Sequence, residues 1–596
     1  MSSVPERSDI DEQYTWDLTD LFADDEAWET AFAAVSERLD ELQAYEGQVT
    51  DDAGTLLELL ELREELMRQV ANVVAYARMR SDEDTTNQEY QALSARAQSL
   101  ASDASSAASF IEPELQGVDR ETLETFIDEE PALETYEHYF DDVLRMKPHT
   151  RSPEVEELLA ELSEVTDGAS EVYSMLTNAD IEFPTVETPD GEEQRITQSN
   201  FTTLQQNPDR EFRKEVYDAF YGTWGEYRNS ISTAYKNSVK ADVKLARARN
   251  YDTAREASLD SANVPVEVYD NLVDTVRENL DVLHAHADLK REALGVDELE
   301  MWDLYAPIAE GESPEVSYEE AKEHVVEAVA PLGEDYQRRV EEGLESRWVD
   351  VYESEGKRSG AYSGGTYDSQ PYILMNYQDD ITSMFTLAHE LGHSLHSDLT
   401  SDTQPYVYSG YEIFVAEVAS TVNEALLTHH LLDTVDDERF RQHVLDNYLE
   451  RFRSTLFRQT MFADFELQAH ERSEEGGALT ADVLDEVYGD LKAAYYAPAN
   501  VDDQIAREWM RIPHFYYGYY VYQYATGISA AVALANGILE EGEPAAERYR
   551  NFLRSGSRQY PLDLLRDAGV DMASPEPVES AIETYGEYVT RFSALL

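Results

Sequence analysis

The sequence has no cysteine in 596 residues. Disulfides, thiolate metal sites and cysteine nucleophiles are thereby excluded. Basic residues are scarce as well: 46 Lys and Arg stand against 123 Asp and Glu, a formal charge of −77. The acids are spread along the whole chain and do not form a tail. Such a surface repels nucleic acid and anionic membranes, so neither is expected as a partner. In dilute buffer the like charges also work against a compact fold. At about 1 M salt the Debye length falls to roughly 3 Å and that repulsion largely vanishes. The balance points to a salt-adapted, halophilic protein. Its melting temperature is expected to rise from low to molar KCl; greater stability at low salt would contradict this.

Long apolar runs are missing too. The least polar stretch, 516–539, is interrupted by Gln523, Thr526, Ser529 and Asn536 and crowded with tyrosine, so it reads as a buried helix and not a membrane span. The start, Met1-Ser2-Ser3-Val4-Pro5-Glu6-Arg7, lacks a basic segment followed by an apolar one. No signal peptide is expected, and the expected location is cytoplasmic. What the chain does have is length and 42% hydrophobic residues, enough for several domains or one large elaborated fold.

Helical periodicity dominates 26–140, where Leu59, Leu62, Leu66, Val70, Val73 and Ala77 form one apolar stripe. Small residues over 95–110 suit close helix packing. Prolines at 148 and 153 precede a further helix over 155–176. The pattern then changes to a β-hairpin over 181–197, turning at Pro189-Asp190-Gly191. Helices resume from Asp209. A second non-helical island covers 349–377, glycine-rich at 360–367 and with a strand at 371–377. That strand could lay its edge along a cleft and accept an extended peptide as a further strand, or simply support the fold. No internal repeat or low-complexity segment is present.

The chemistry centres on His389-Glu390-Leu391-Gly392-His393, an H-E-x-x-H motif in an apolar helix capped by Asp379 or Asp380. Residues four apart share a helix face, so His389 and His393 can bind one ion while Glu390 reaches a water beside it. Zinc suits two imidazoles and brings the pKa of a bound water towards about 7, within reach of a carboxylate base. A catalytic zinc needs a third protein ligand. Glu417 lies among Phe414, Val415, Val418 and Ala419 on a helical face that reads as buried, where a carboxylate needs a cation: a metal, or an arginine in an ion pair. Glu424, two turns on, reads as an acceptor for a ligand imidazole or as a solvated side chain. His396 is assigned a structural role, because the metzincin pattern requires Gly at 396 and His at 399. Farther on, 512–524 is rich in tyrosine around His514, offering donors for a developing oxyanion.

With Glu417 following after 23 intervening residues, this pattern resembles the thimet-oligopeptidase-like zinc metallopeptidases, and within them the oligoendopeptidase F group. Segments 14–18, 294–305, 371–377, 414–424 and 514–527 carry the resemblance over nearly the whole chain. It implies a mainly α fold, large and helical, with a deep substrate channel and small β elements near the zinc. It implies an N-terminal helical region at 1–112, a helical and hairpin region at 113–200, and a catalytic region at 201–596. It further implies one zinc per chain on His389, His393 and Glu417, Glu390 as general base, and His514 and Tyr519 as oxyanion donors. The second phenol of the family falls on Tyr522 or Tyr524 after a local shift, and Tyr522 is taken. The expected substrates are short unstructured peptides inside the cell, cut at internal bonds. A metallocarboxypeptidase and a catalytically dead acidic scaffold are the rival readings. The sequence assigns no oligomeric state.

Overall fold

The computed structural model describes residues 4–309 and 311–596. Helices α1 (Asp25–Gln43), α2 (Ala53–Glu83) and α3 (Gln88–Ala108) open the chain, each capped by an Asp or Asn side chain accepting from its first turn. The expected stripe of α2 is buried, with Leu62 half-buried. Trp28 of α1 is fully buried and donates to the Val73 carbonyl of α2 at 2.8 Å. Ala97, Ala104 and Ala107 of α3 are buried as well, as close packing requires.

The helix expected over 155–176 is two: α4 (Pro153–Thr166) and α5 (Gly168–Met175), separated at Asp167. Between them they bury only Tyr173. The hairpin is formed by β1 (Thr185–Glu187) and β2 (Glu193–Arg195), antiparallel, with Val186 opposite Gln194. Gly191 takes φ +82° at its turn. A long helix, α6 (Arg228–Ala248), follows.

A three-stranded sheet comprises β3 (Val349–Asp350), β4 (Tyr362–Gly364) and β5 (Tyr372–Leu374). Its order is β3-β5-β4, with β3 parallel and β4 antiparallel to β5. Of the two readings of the strand at 371–377, the supporting one holds: it is the central strand, hydrogen-bonded on both sides. The edges belong to β3 and β4. The entry segment docks on this sheet: Val351 donates to the Tyr14 carbonyl at 2.9 Å, and the Trp16 ring meets Tyr372 edge-on at 6.2 Å.

Asp380 caps α7 (Ile381–Thr403), accepting from the Ser383 N–H at 2.7 Å. Helix α8 (Ile413–Thr434) follows, then α9 (Arg458–Glu474) and α10 (Tyr522–Glu541). The apolar stretch 516–539 is thus α-helical only from Tyr522. Gly518 and Tyr519 have φ +39° and +57°, a left-handed turn that no α-helix accommodates. No helix among the described residues is long and apolar enough to cross a membrane.

The chain divides into two compact units. One runs from the amino terminus to Pro148 and adds Pro314–Leu431 and Leu534–Gly569; the other comprises His149–Ser313, Leu432–Ala533 and Val570–Leu596. The first contains α1–α3, the three-stranded sheet, α7 and most of α8. The second contains α4–α6, the hairpin and α9.

Two buried histidines make stability depend on pH. Burial pushes His286 and His396 down to about 3 from an ordinary 6.5. Unfolding releases them to the ordinary value and so takes up protons between those limits. Their contribution is complete above about pH 6.5 and is lost as pH falls towards 3, at about 1.4 kcal/mol per pH unit for each histidine. Urea midpoints of the metal-free protein should fall from pH 7 to pH 5, and less steeply for His286→Asn or His396→Asn. Equal slopes in all three proteins would exclude these residues.

Candidate functional site: a His-His-Glu centre

His389 and His393 stand one turn apart on α7, with Nε2 atoms 3.2 Å from each other. Glu417 on α8 brings Oε2 to 3.4 Å from the first and 3.5 Å from the second. Zinc bonds of about 2.0–2.1 Å at tetrahedral angles separate ligand atoms by about 3.3–3.4 Å, so the three groups fit such an ion. Two imidazole nitrogens and a carboxylate oxygen this close call for a shared proton or a cation between them. Among the described residues this is the one group of three that could hold a metal.

The site depends on a close crossing of α7 and α8. A Cβ on Gly392 would lie 2.5 Å from the Ser420 Cα and 2.6 Å from the Ala419 carbonyl oxygen, both backbone atoms of α8. Only glycine permits that approach. Asn423, buried on α8, donates to the Ala388 carbonyl of α7 at 3.1 Å and pins the crossing. Sequence reasoning missed both. The glycine inside the motif was a visible signal; the amide had none, since its partner is a backbone carbonyl 35 residues away.

His389 Nδ1 lies 2.5 Å from Glu424 Oε1, and Glu424 is buried. Donation to that carboxylate leaves the Nε2 lone pair facing Glu417 and His393. Burial lowers the His389 pKa, but the hydrogen bond and charge of Glu424 outweigh it and leave it raised. Burial likewise pushes Glu417 up, yet its hydrogen bond to His393, the two imidazoles and the Ser420 hydroxyl bring it down to about 2. Glu417 is therefore an anion beside the two imidazoles.

Glu390 is 7% exposed. Burial raises its pKa, opposed by both imidazoles and by the Ser363 N–H of β4, which donates to it. The Ser363 hydroxyl also meets that of Ser394 at 2.8 Å, fastening the β4 edge to α7. His396 is buried, stacked at 3.8 Å on Tyr411, and outside the metal group.

His514, Tyr519 and Tyr522 belong to the second unit. His514 is half-buried, and its ring meets Tyr517, Tyr520 and Tyr524. Burial, then the Arg458 charge, lowers its pKa. Tyr519 and Tyr522 are buried and pack their rings on Tyr269 at 5.5 and 5.1 Å. The left-handed backbone of Tyr519 is held by a residue that sequence reasoning missed: buried Glu466, on α9, accepts its N–H at 2.6 Å. Burial raises Glu466 to about 7.

The profile of Peptidase family M3 matches residues 203–584, more than half of the chain, across this motif and Glu417. The chain belongs to that family. A second profile, Oligopeptidase F, matches residues 114–183. "Oligopeptidase PepF" of Bacillus subtilis (strain 168) is 46% identical over 596 residues, covering 100% of this chain and 89% of its own. "Group B oligopeptidase PepB" of Streptococcus agalactiae serotype III (strain NEM316) is 41% identical over 591 residues, 99% of this chain and 98% of its own. Among solved structures, oligoendopeptidase-F from Enterococcus faecium superposes with a TM-score of 0.74 at 36% identity, covering 96% of this chain and 99% of its own. This M3 member is a metalloendopeptidase with a mainly α fold.

In this M3 chain, Glu424→Ala is expected to weaken metal binding by about 10–100-fold, because an imidazole loses its orienting acceptor. Competition against a chromogenic zinc chelator reads the change; unaltered affinity would deny Glu424 that role.

Proposed function

We propose that this protein is a zinc-dependent endopeptidase that hydrolyses internal bonds of short unstructured peptides in a salt-rich cytoplasm, with one zinc per chain on His389, His393 and Glu417. The observation that carries the reading is the convergence of those three atoms, two from α7 and one from α8, with Glu390 next to His389 on α7. Zinc bound there supplies a Lewis acid that acidifies a water and polarises the scissile carbonyl. Glu390 takes a proton from the attacking water and returns it to the departing amine. Its raised pKa supports both halves of that task. His514 and Tyr519 donate to the carbonyl oxygen as negative charge builds there, with Tyr522 as the second phenol. Loss of kcat in Tyr524→Phe with none in Tyr522→Phe would transfer that last role. The charge of −77 supports the salt-rich setting.

The deciding experiment uses an internally quenched peptide acetylated at one end and amidated at the other. The protein should cut it internally, lose activity to 1,10-phenanthroline and recover it with zinc. Trimming from free ends alone, or activity indifferent to the chelator, would overturn the reading.

A further inference from the structure

Lysine is rare in this chain, with nine in 596 residues, and three of them stand on α6 at 236, 240 and 244. Steps of four place them in one stripe. Five of the other six are ion-paired: Lys214 with Asp218, Lys290 with Glu450, Lys322 with Glu319, Lys357 with Asp350 and Lys492 with Glu508. Among the described residues, none of the three on α6 has a carboxylate within 4.0 Å. Acids outnumber bases 123 to 46, so unpaired ammonium groups in a row are the opposite of what the composition supplies. Lys240 and Lys244 are exposed.

The same helix borders an apolar groove. Leu158, Leu162, Val165, Val172 and Met175 are between 41% and 73% exposed, five of the nine exposed large hydrophobic residues among those described. They lie within 18 positions on α4 and α5. Helix α4 buries none of its residues. Between these helices and α6 is a groove of about 800 Å³, with Leu159, Leu162, Val165 and Val172 on one side, Leu245 on the other, and Lys240 and Lys244 at its border. A groove of this size takes a ligand of a few residues.

We propose that this groove binds the apolar C-terminal end of a peptide, its terminal carboxylate held by Lys240 and Lys244. Charge complementarity selects the occupant. The protein as a whole repels anions, so a carboxylate can settle only where local cations are uncompensated. In molar salt the long-range field is screened and those contacts decide. A chain terminus brings a carboxylate without an acidic side chain, leaving every side chain of the segment free to be apolar, as the facing wall requires. A second copy fits poorly, since a twofold contact would oppose lysine to lysine and add another −77 of charge. The proposal deepens the peptidase reading and rests on it for the choice of a peptide as ligand. Recognition of a free end would favour short peptides over internal segments of long chains.

The test uses three fluorescein-labelled nonapeptides with Leu-Val-Leu at the C-terminus: a free acid, its amide, and an amide carrying one internal Asp. Binding is followed by anisotropy on the zinc-loaded Glu390→Gln protein in 1 M KCl, and cleavage of unlabelled copies by wild type is followed separately. The free acid should bind about tenfold more tightly than either amide. Lys240→Gln/Lys244→Gln should abolish that preference, and Lys240→Arg/Lys244→Arg should retain it. Equal binding of acid and amide, a preference that survives the glutamines, or tightest binding of the Asp amide would each overturn the proposal. Binding that depends on the free end, with no cleavage of any peptide by wild type, would support the groove and reject the peptidase reading.

Discussion

Glu390→Gln is expected to lower kcat/KM on a doubly blocked peptide by about 10²–10⁴-fold, the range for removing a general base. The substitution keeps size and shape and removes the site that accepts a proton. Glu390 is buried beside β4 and lies outside the group of three that could hold the ion, so folding and zinc content should stay at wild-type levels. Activity lost with bound zinc intact separates a base from a ligand. Glu417→Ala should do the reverse and strip the metal on dialysis. Turnover by Glu390→Gln close to wild type would sink the assignment.

The second large effect comes from a residue with no side chain. Gly392→Ala is expected to cost about 1–3 kcal/mol or more, the range for overpacking a tight contact. The added methyl would meet the Cα of Ser420 and the carbonyl of Ala419, and backbone atoms cannot rotate away. The helices must part, which loosens the Asn423 bond to the Ala388 carbonyl and withdraws Glu417 from the histidines. Zinc affinity and melting temperature should therefore fall together. Gly168→Ala is the control, since a Cβ there meets nothing within 4 Å. Wild-type melting and metal binding in Gly392→Ala would show that the two helices can separate without cost.

Local signals were legible because they act over a few residues. A four-residue step puts His389 and His393 on one face whatever surrounds them. Asp380 caps its helix through a side chain that reaches three residues ahead. The hairpin appeared where Pro189-Asp190-Gly191 placed a turn, and α2 followed its leucine stripe. Glu417 stood out because a carboxylate within an apolar helical face demands a positive partner, and the fold sets it 3.4 and 3.5 Å from the two imidazoles.

Long-range contacts were less legible. Periodicity over 155–176 predicted one helix, and two formed. An apolar pattern over 516–539 predicted helix throughout, but its first part turns left-handed at Gly518 and Tyr519, held by the buried carboxylate of Glu466 more than 50 positions earlier. The strand at 371–377 was recognisable, while its rank in the sheet was not, because strand order depends on pairing with Val349–Asp350 and Tyr362–Gly364.

The sequence by itself determined the kind of chemistry: two imidazoles on one helical face, a carboxylate beside them, no thiol anywhere, and an acidic surface. Tertiary structure alone decided how closely α7 and α8 approach, which strand faces the motif helix, and which lysines remain unpaired. The physical reason is reach. Side-chain chemistry and helical phase are fixed within a turn or two of the chain, whereas a 3.4 Å separation between groups on different helices is set by backbone packing at Gly392 and by hydrogen bonds whose partners lie tens of residues apart.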